Sequence, residues 1–250
     1  MMPVALTIAG SDPSGGAGLQ ADLKTFHRFG VYGEAVPTLL TVQNTMRVTR
    51  VEMVSEELVL EQLAAVLEDI PPQAAKTGAL GTPGMVRAVA RAASQFRFPL
   101  VVDPVMVSKH GASLGGGGWE ELLPYAALVT PNLPEAEALT GTTDPRGAAE
   151  RLCAMGARAA LIKGGHRQGD ALDLLYDGAE WIEFPAPRID TPHTHGTGCA
   201  YSAAIVAGLA QGRALRDAVA RAKRFISAAI RDNPGLGRGR GPINHHAEVT

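Results

Sequence analysis

Aromatic residues and cysteines are both scarce in this sequence. Phe, Trp and Tyr together make up 5% of the 250 residues, and the two cysteines are Cys153 and Cys199. With so few aromatic side chains, the core must be built mainly from aliphatic residues and alanine. Two cysteines cannot form the disulfide framework of a small secreted domain. We therefore expect a cytoplasmic protein whose thiols are free for packing or for chemistry.

The sequence also lacks an excess of one charge and lacks long hydrophobic runs. Its formal net charge is −2, which argues against a general binder of nucleic acid or of acidic lipid. No uncharged apolar run approaches the ~20 residues of a transmembrane helix, and residues 1–8 do not resemble a signal peptide. The short stretch 237–241, which carries two arginines, is interpreted as a tail. We expect neither a membrane nor a nucleic-acid partner.

Glycine, in contrast, is abundant, with 29 residues. It is clustered at 15–18, 115–118, 164–165 and 196–198. Such clusters mark places where the backbone turns tightly or approaches a ligand closely. The cluster at 115–118 is interpreted as a flexible loop or lid within 108–118. Since no linker, repeat or charge run divides the chain, residues 1–250 are predicted to form a single domain.

Short apolar runs alternate with helical patterns, which is typical of an α/β protein with a mostly parallel sheet. The predicted strands are 4–9, 35–42, 74–77, 100–103, 128–130 and 159–163. Apolar residues at helical spacing occur in 59–70, 85–96 and 215–230, and a further helix follows residue 198. Asp177-Gly178, between 172–176 and 180–184, predicts a β-hairpin.

Unusual polar residues follow the predicted strands, at the edge of the sheet where open α/β proteins bind ligands. They are Gly10-Ser11-Asp12, Gln43-Asn44, Lys76-Thr77-Gly78, Asp103-Pro104, Asn132 with Glu135, and Lys163-Gly164-Gly165. This edge thus collects carboxylates, amides, lysines and glycines. The sequence therefore predicts a binding site there.

Familiar nucleotide and metal motifs do not account for these residues. Gly16-Ala17-Gly18 begins a match to the dinucleotide fingerprint, but Gln43-Asn44 stands where that fold needs an acidic residue for the ribose. No P-loop motif occurs. His193 and His195 have no third ligand at zinc-like spacing, which favours a loop role or a phosphate contact. Asp12 is interpreted as a capping or surface charge.

The segment from His195 to Cys199 carries the strongest chemical signal. The sequence His195-Gly196-Thr197-Gly198-Cys199 opens a long helix of small residues. The first N–H groups of such a helix and its positive dipole end form an anion site, which suits a phosphoryl group in transfer. The dipole is expected to lower the pKa of the Cys199 thiol, so that it can act as a proton acceptor. A packed helix with a buried Cys199 is the alternative.

Several ordered motifs extend over nearly the whole chain. They are the opening segment 5–26, Gln43-Asn44-Thr45, Lys76-Thr77-Gly78, Val102-Asp103-Pro104-Val105-Met106, Thr130-Pro131-Asn132-Leu133-Pro134-Glu135-Ala136, Ile162-Lys163-Gly164-Gly165-His166, Thr194 to Cys199, and Gly241-Pro242-Ile243-Asn244-His245. With these motifs the chain resembles the hydroxymethylpyrimidine/phosphomethylpyrimidine kinases of thiamine biosynthesis. The resemblance implies a ribokinase-like three-layer α/β/α sandwich. It also implies a homodimer that uses ATP and Mg²⁺ to phosphorylate hydroxymethylpyrimidine and then its monophosphate.

The resemblance further implies roles for individual residues. Residues expected to contact the pyrimidine are Gly10, Ala17, Asp22, Gln43 and Val105. Asp22 would accept from the exocyclic amine, and Gln43 would donate or accept. Residues expected to form the anion hole are Gly196, Thr197, Gly198 and Cys199, with the Cys199 thiol as base. Asp103 and Glu135 would hold Mg²⁺, although a carboxylate at Glu135 also suits a helix start. Residues expected to contact nucleotide or phosphate are Asn132, Lys163 and Lys76.

One position departs from the family pattern. The family often has Met after Lys-x-Gly, as an apolar wall on the substrate, whereas this chain has Ala79. A smaller wall would widen the pocket, so a pyridoxal or pyridoxine kinase is the alternative function, although Gln43-Asn44-Thr45 favours the pyrimidine. A binding regulator without catalysis is a third possibility. The intact anion-hole motif, with Lys163, argues against it.

Overall fold

The computed structural model describes residues 2–106, 111, 114–115, 117–166 and 170–249. Within these residues, nine strands form one sheet: β1 (Val4–Ser11), β2 (Tyr32–Gln43), β3 (Val48–Met53), β4 (Ala74–Thr77), β5 (Leu100–Val102), β6 (Ala126–Val129), β7 (Ala160–Ile162), β8 (Asp173–Tyr176) and β9 (Trp181–Phe184). Their order across the sheet is β3-β2-β1-β4-β5-β6-β7-β8-β9. The proposed lid at 108–118 falls largely outside the described residues.

The central strands run parallel, from β2 through β1, β4, β5 and β6 to β7. Their carboxyl ends therefore share one edge of the sheet. Strand β3 pairs antiparallel with β2, and β8 and β9 form an antiparallel hairpin beside β7. The predicted mostly parallel sheet and the hairpin at Asp177-Gly178 are both confirmed.

Strand β3 is absent from the sequence prediction. Every residue of Val48–Met53 is at least partly exposed, because the strand lies at the sheet edge with β2 as its neighbour. The segment therefore lacks the buried apolar face from which a strand is recognised. Strand β2 also begins earlier than predicted, since Tyr32 pairs with Val4 of β1.

Eight α-helices lie within the described residues: α1 (Gly18–Arg28), α2 (Glu56–Asp69), α3 (Pro83–Ala93), α4 (Trp119–Leu122), α5 (Leu133–Thr140), α6 (Pro145–Ala154), α7 (Thr197–Ala210) and α8 (Leu215–Arg231). The predicted helical patterns correspond to α2, α3, α7 and α8. Side-chain caps begin several helices. Ser55, Thr82 and Asp144 each accept a hydrogen bond from a backbone N–H in the first turn.

The helices cover both faces of the sheet. Successive residues of a strand point to opposite faces, so Ala5 packs with α1, α7 and α8, whereas Leu6 packs with α2, α3 and α6. Each face has its own aliphatic core, as the scarcity of aromatic residues predicts. The result is the three-layer α/β/α sandwich that the family resemblance implies. Among the described helices, none has both the length and the apolar character needed to cross a membrane.

Helix α7 determines where the site lies. Its residues from Ala200 to Gly208 are all buried, because the helix is apolar on every side and lies between the sheet and α8. The packing on α8 is close: a Cβ added at Gly208 would lie 2.8 Å from that of Ala218. A buried helix of this kind has its N-terminus fixed by packing. That N-terminus is at the carboxyl edge of the parallel strands, beside Lys163 and Asp103.

Candidate active site

A cavity of about 850 Å³ opens along the carboxyl edge of the parallel strands. Residues that follow the strands line it, together with the N-terminus of α7 and one side of α8. The predicted site residues in the lining are Gly10, Ala17, Gln43, Asp103, Val105, Asn132, Glu135, Lys163, Gly196, Thr197, Gly198 and Cys199. The topology thus brings together most of the residues that the motifs single out.

One end of this cavity is small and apolar. Leu39, Ala79 and Leu114 form a buried cluster there, with Val105 packed against it. Gly10 lies so close to this cluster that an added Cβ would be 2.6 Å from Cδ1 of Leu39. Because glycine has no side chain, the backbone can border a narrow space here. Gln43, from the same strand as Leu39, adds an amide to the lining.

The N-terminus of α7 forms the polar floor of the cavity. Gly196 caps the helix with φ 80°, in the left-handed region, and an added Cβ would overlap the carbonyl oxygen of Gly16. Glycine is therefore required at this position both for its conformation and for the close approach. The N–H groups of Gly198 and Cys199, in the first turn, have no carbonyl partner within the helix. N–H groups in this position can bind an anion, and we refer to this pair as the anion site.

Lys163 lies beside this anion site. A Cβ added at Gly198 would be 3.4 Å from Nζ of Lys163, and the same Nζ donates to Oδ1 of Asp103 at 2.9 Å. Burial would raise the pKa of Asp103, but Lys163 and Lys76 hold it below its ordinary value. Burial would lower the pKa of Lys163, but Asp103 and Glu135 raise it instead. Both groups therefore stay ionised, and a cation is held next to the free N–H groups.

Asn132 and Glu135 form a capping box at the start of α5. The Asn132 side chain accepts from the N–H of Glu135 at 2.9 Å, and the Glu135 carboxylate accepts from the N–H of Asn132 at 2.8 Å. Burial raises the pKa of Glu135, and nearby Asp103 raises it further, although Lys163 opposes both. The two residues thus line the cavity and also stabilise the start of a helix.

Asp22 and Lys76 lie beneath the cavity and not in its lining. Both side chains are 0% exposed, with Nζ of Lys76 2.8 Å from Oδ1 of Asp22. Asp22 also accepts from Thr7 at 2.7 Å, and Lys76 donates to the carbonyl oxygen of Cys199 at 3.3 Å. Fully buried charges need partners of this kind. The structure thus pairs these two residues with each other below the first turn of α7, instead of directing Asp22 at a substrate amine and Lys76 at a phosphate.

The Cys199 thiol lies in the first turn of α7, but the expectation that its pKa is lowered is wrong. Burial raises the pKa of Cys199 to about 12. Lys76 opposes this rise, whereas Asp22 and Asp103 add to it. A helix N-terminus typically contributes about 0.3–1 kcal/mol, which is less than the cost of burying a thiolate among carboxylates. The resting form of Cys199 is therefore the protonated thiol.

Asp12 and His195 form a buried pair that the sequence does not predict. Nε2 of His195 lies 2.7 Å from Oδ2 of Asp12, and the Gln43 amide lies 3.2 Å from the same ring nitrogen. Asp12 also accepts from the backbone N–H groups of Ser14 and Ala17, each at 2.9 Å. The sequence offers two signals for this pair, a carboxylate just after a predicted strand and a histidine directly before Gly196. Neither signal shows that the two residues meet.

Asp173, Tyr201 and Lys223 form a second buried cluster in the cavity wall. Asp173 accepts from Nζ of Lys223 at 2.7 Å, from the Tyr201 hydroxyl at 2.9 Å and from the N–H of Gly164 at 2.8 Å. It thereby anchors the turn directly after Lys163. A charged residue at the start of the apolar segment 173–176 is the one sequence signal for this cluster.

Comparison with known proteins identifies the family of this chain. A family model described as phosphomethylpyrimidine kinase matches residues 12–244, which is most of the chain. The chain belongs to the phosphomethylpyrimidine kinase family. Its fold is accordingly the ribokinase-like fold expected from the motifs.

Two curated relatives illustrate this kinase family. The chain is 45% identical over 256 residues to the hydroxymethylpyrimidine/phosphomethylpyrimidine kinase of Bacillus subtilis, covering 97% of this chain and 94% of the relative. It is 51% identical over 252 residues to the thiamine biosynthesis bifunctional protein ThiED of Geobacter sulfurreducens, covering 96% of this chain. The chain spans about half of that longer relative, since 51% of it is covered.

Solved structures with the same fold include two pyridoxal kinases and a phosphomethylpyrimidine kinase. A pyridoxal kinase of Bacillus subtilis in an ADP complex has a TM-score of 0.89 and 39% identity, covering 99% of this chain and 98% of its own. The Staphylococcus aureus pyridoxal kinase with AMP-PCP and pyridoxal has a TM-score of 0.89 and 35% identity, covering 99% and 95%. The phosphomethylpyrimidine kinase of Clostridium difficile 630 has a TM-score of 0.80 and 38% identity, covering 91% and 99%.

The buried Asp22–Lys76 pair predicts a specific pattern of stability changes. Lys76→Met should lower the free energy of unfolding by about 3–5 kcal/mol, because it leaves the Asp22 carboxylate buried without its cation. The double variant Lys76→Met with Asp22→Asn should recover more than half of that loss, because neither charge remains. Urea unfolding followed by circular dichroism measures both values.

A matched surface pair provides the control for this stability prediction. Arg50 and Glu52 form an ion pair whose side chains are 69% and 60% exposed. Arg50→Met should change the free energy of unfolding by less than about 1 kcal/mol. A loss for Lys76→Met that is no larger than the loss for Arg50→Met would contradict a structural role for the buried pair.

Proposed function

We propose that this chain is an ATP-dependent kinase for 4-amino-5-hydroxymethyl-2-methylpyrimidine and then for its monophosphate, in thiamine biosynthesis. One observation carries this proposal: the small apolar end of the cavity and the N-terminus of α7, with Lys163 beside it, open into the same space. An aromatic ring of this size fits beside Gly10 and Ala79, and its hydroxymethyl arm can reach the anion site. The names of the curated relatives support the same substrate.

In the proposed reaction, the hydroxymethyl oxygen forms a bond to the γ-phosphorus of ATP. The bond to the bridging oxygen breaks, and ADP leaves with the electron pair. The N–H groups of Gly198 and Cys199 are positioned to stabilise the charge on the transferred group, and the Lys163 ammonium adds a positive charge beside them. Since these donors are fixed by the packing of α7, little reorganisation is needed during transfer.

Magnesium is part of the proposal, and the residues present fit it. Asp103 and Glu135 both line the cavity, and carboxylate oxygens are the ligands that Mg²⁺ prefers. In the described ranges, no group of three or more potential metal-ligating side chains occurs. Mg²⁺ is usually held by one or two carboxylates together with substrate phosphates and water. When bound, the ion would neutralise phosphate charge.

We also propose that the Cys199 thiolate accepts the proton of the hydroxymethyl group. Its side chain lies in the first turn of α7, next to the anion site, and Lys76 favours the thiolate. With a pKa raised to about 12, the thiolate is a minor species at neutral pH but a strong base. We also expect the chain to work as a homodimer in the cytoplasm.

The substrate proposal predicts which compounds support ATP turnover. Incubation with Mg-ATP and either the hydroxymethylpyrimidine or its monophosphate should release ADP, with a higher kcat/KM than incubation with pyridoxal. A coupled assay for ADP measures all three. A chain that binds these compounds without consuming ATP would be a regulator, and one that prefers pyridoxal would be a pyridoxal kinase.

The proposed base predicts a rise of kcat with pH, whereas a low-pKa thiol, already ionised in the same range, would give a flat profile. Below its pKa, the thiolate fraction of Cys199 grows tenfold per pH unit, so kcat should rise steadily from about pH 6.5 to about pH 8.5. Cys199→Ala should remove this rise and lower kcat far more than it raises KM. Steady-state assays across that range measure the effect.

The matched control for the base is Cys153→Ala, since Cys153 lies in α6 and does not line the cavity. This variant should keep both the turnover and the rise with pH. A kcat that is independent of pH in the parent chain, or an unchanged kcat in Cys199→Ala, would remove Cys199 as the base.

A second candidate function, pyridoxal kinase, is favoured by Ala79 in the pocket wall. Ala79→Met should narrow the space beside Leu39 and exclude the more heavily substituted pyridoxal ring. We expect kcat/KM for pyridoxal to fall at least tenfold more than that for the hydroxymethylpyrimidine. The control is Ala64→Met on the exposed face of α2, outside the cavity lining, which should leave the ratio unchanged. An unchanged ratio in Ala79→Met would exclude this wall as the determinant of selectivity.

A further inference from the structure

Three polar side chains lie in a row between the loop after β1 and the anion site. They are Asp12, His195 and Gln43. Nε2 of His195 is 2.7 Å from Oδ2 of Asp12, and both side chains are almost completely buried. The amide nitrogen of Gln43 is placed 3.2 Å from the same ring nitrogen, and Gln43 lines the cavity. Within the part of the chain that the structure describes, Nε2 of His195 thus lies beside a carboxylate and an amide.

The carboxylate decides whether Nε2 of His195 carries a hydrogen. Burial would raise the pKa of Asp12, but hydrogen bonds from His195 and Ser14 outweigh it and keep the pKa below its ordinary value. An ionised carboxylate can only accept. Nε2 must therefore bear the hydrogen that is donated to Asp12, and this holds for both the neutral and the protonated ring.

This hydrogen in turn decides which way the Gln43 amide points. A ring nitrogen that carries a hydrogen cannot accept one from an amide N–H₂ group. The two arms of an amide have nearly the same size and shape, so the hydrogen-bond network decides their assignment. The two arms placed in the structure must therefore be exchanged, so that the carbonyl arm of Gln43 faces His195 and the N–H₂ arm faces away from it, towards the cavity.

The imidazole of His195 is held so that it cannot turn away from this contact. The backbone N–H of His195 donates to the carbonyl of Gly241 at 3.0 Å, and its carbonyl accepts from Ile243 at 3.4 Å. On the ring side, a Cβ added at Gly16 would lie 2.5 Å from Cδ2 of His195. Glycine at position 16 thus leaves just enough room for the ring.

We propose that Asp12 and His195 are positioning residues that orient the Gln43 amide so that it donates an N–H to an unprotonated ring nitrogen of the substrate. The inference rests on the proposed function and narrows it, since it assigns a hydrogen-bond acceptor to the part of the heterocycle that faces Gln43. Because His195 directly precedes Gly196, the same residue connects the orientation of the ring to the anion site.

Ligand binding without ATP tests this assignment separately from turnover. The probes are the hydroxymethylpyrimidine and its two pyridine analogues, in each of which one ring nitrogen is replaced by C–H. In the parent chain, one analogue should bind about tenfold more weakly than the pyrimidine, because a buried donor loses its acceptor. In Gln43→Leu and in His195→Phe, this ratio should fall towards one. Isothermal titration calorimetry measures the ratio.

The matched control for the titration is His27→Phe, an exposed histidine on α1 outside the cavity lining, which should keep the tenfold ratio. If His195→Phe weakens the binding of the pyrimidine and of both analogues by the same factor, His195 merely supports the loop. That result would overturn the inference and leave the proposed function standing. If the parent chain binds none of the three compounds, the proposed function itself fails.

A measurement on the parent chain avoids any dependence on variants that fold poorly. Long-range ¹H–¹⁵N NMR spectra distinguish a ring nitrogen that carries hydrogen from one that does not. We expect Nε2 of His195 to carry hydrogen at neutral pH. An Nε2 without hydrogen would reverse the orientation of the Gln43 amide and overturn the inference.

Discussion

The N-terminus of α7 is the constraint on which the rest of the site depends. A helix end leaves N–H groups without partners, and burying them in a protein interior is unfavourable unless a ligand or a polar group compensates. Here the end is held from several directions. Gly196 lies against the backbone at Gly16, Lys76 donates to the carbonyl of Cys199, and Ser202 donates to Asp103 at 3.1 Å. The loops that border the apolar end of the cavity and that carry Lys163 are thus attached to one rigid helix.

Buried charges around α7 follow a single pattern. Each of three buried aspartates accepts from one lysine: Asp22 from Lys76, Asp103 from Lys163, and Asp173 from Lys223. The chain has five lysines in all, so most of a scarce residue type is placed in the interior. A lysine ammonium is a compact charge on a flexible stem. It can therefore reach a single carboxylate oxygen in a narrow space where a guanidinium fork would not fit.

Much of the fold could be predicted because its signals are local. The apolar runs of β5 and β7, the spacing in α8 and the Asp-Gly turn each depend on neighbours in sequence. The rule that ligands bind beyond the carboxyl ends of parallel strands then located the cavity. The edge strand β3 could not be found this way, because none of its residues is fully buried.

The properties that were not predicted are those that depend on distant residues. The pKa of Cys199 reflects the burial of its thiol beside Asp22 and Asp103, and neither is near it in sequence. Asp12 meets His195 across 183 positions of the chain. Asp22 and Lys76 are charged residues of the kind found in binding sites, yet the fold buries both of them beneath the cavity lining. Residue type and motif therefore identified the region of the site but not the depth of each side chain.

The contact between His195 and the segment 241–243 has a consequence for synthesis of the protein. The backbone of His195 pairs with Gly241 and Ile243, and these residues are added after every strand and helix described here. The sheet can therefore form before residues 241–243 have been synthesised, but the loop before Gly196 acquires this support only after them. The N-terminus of α7 is thus fixed in place later than the sheet beside it.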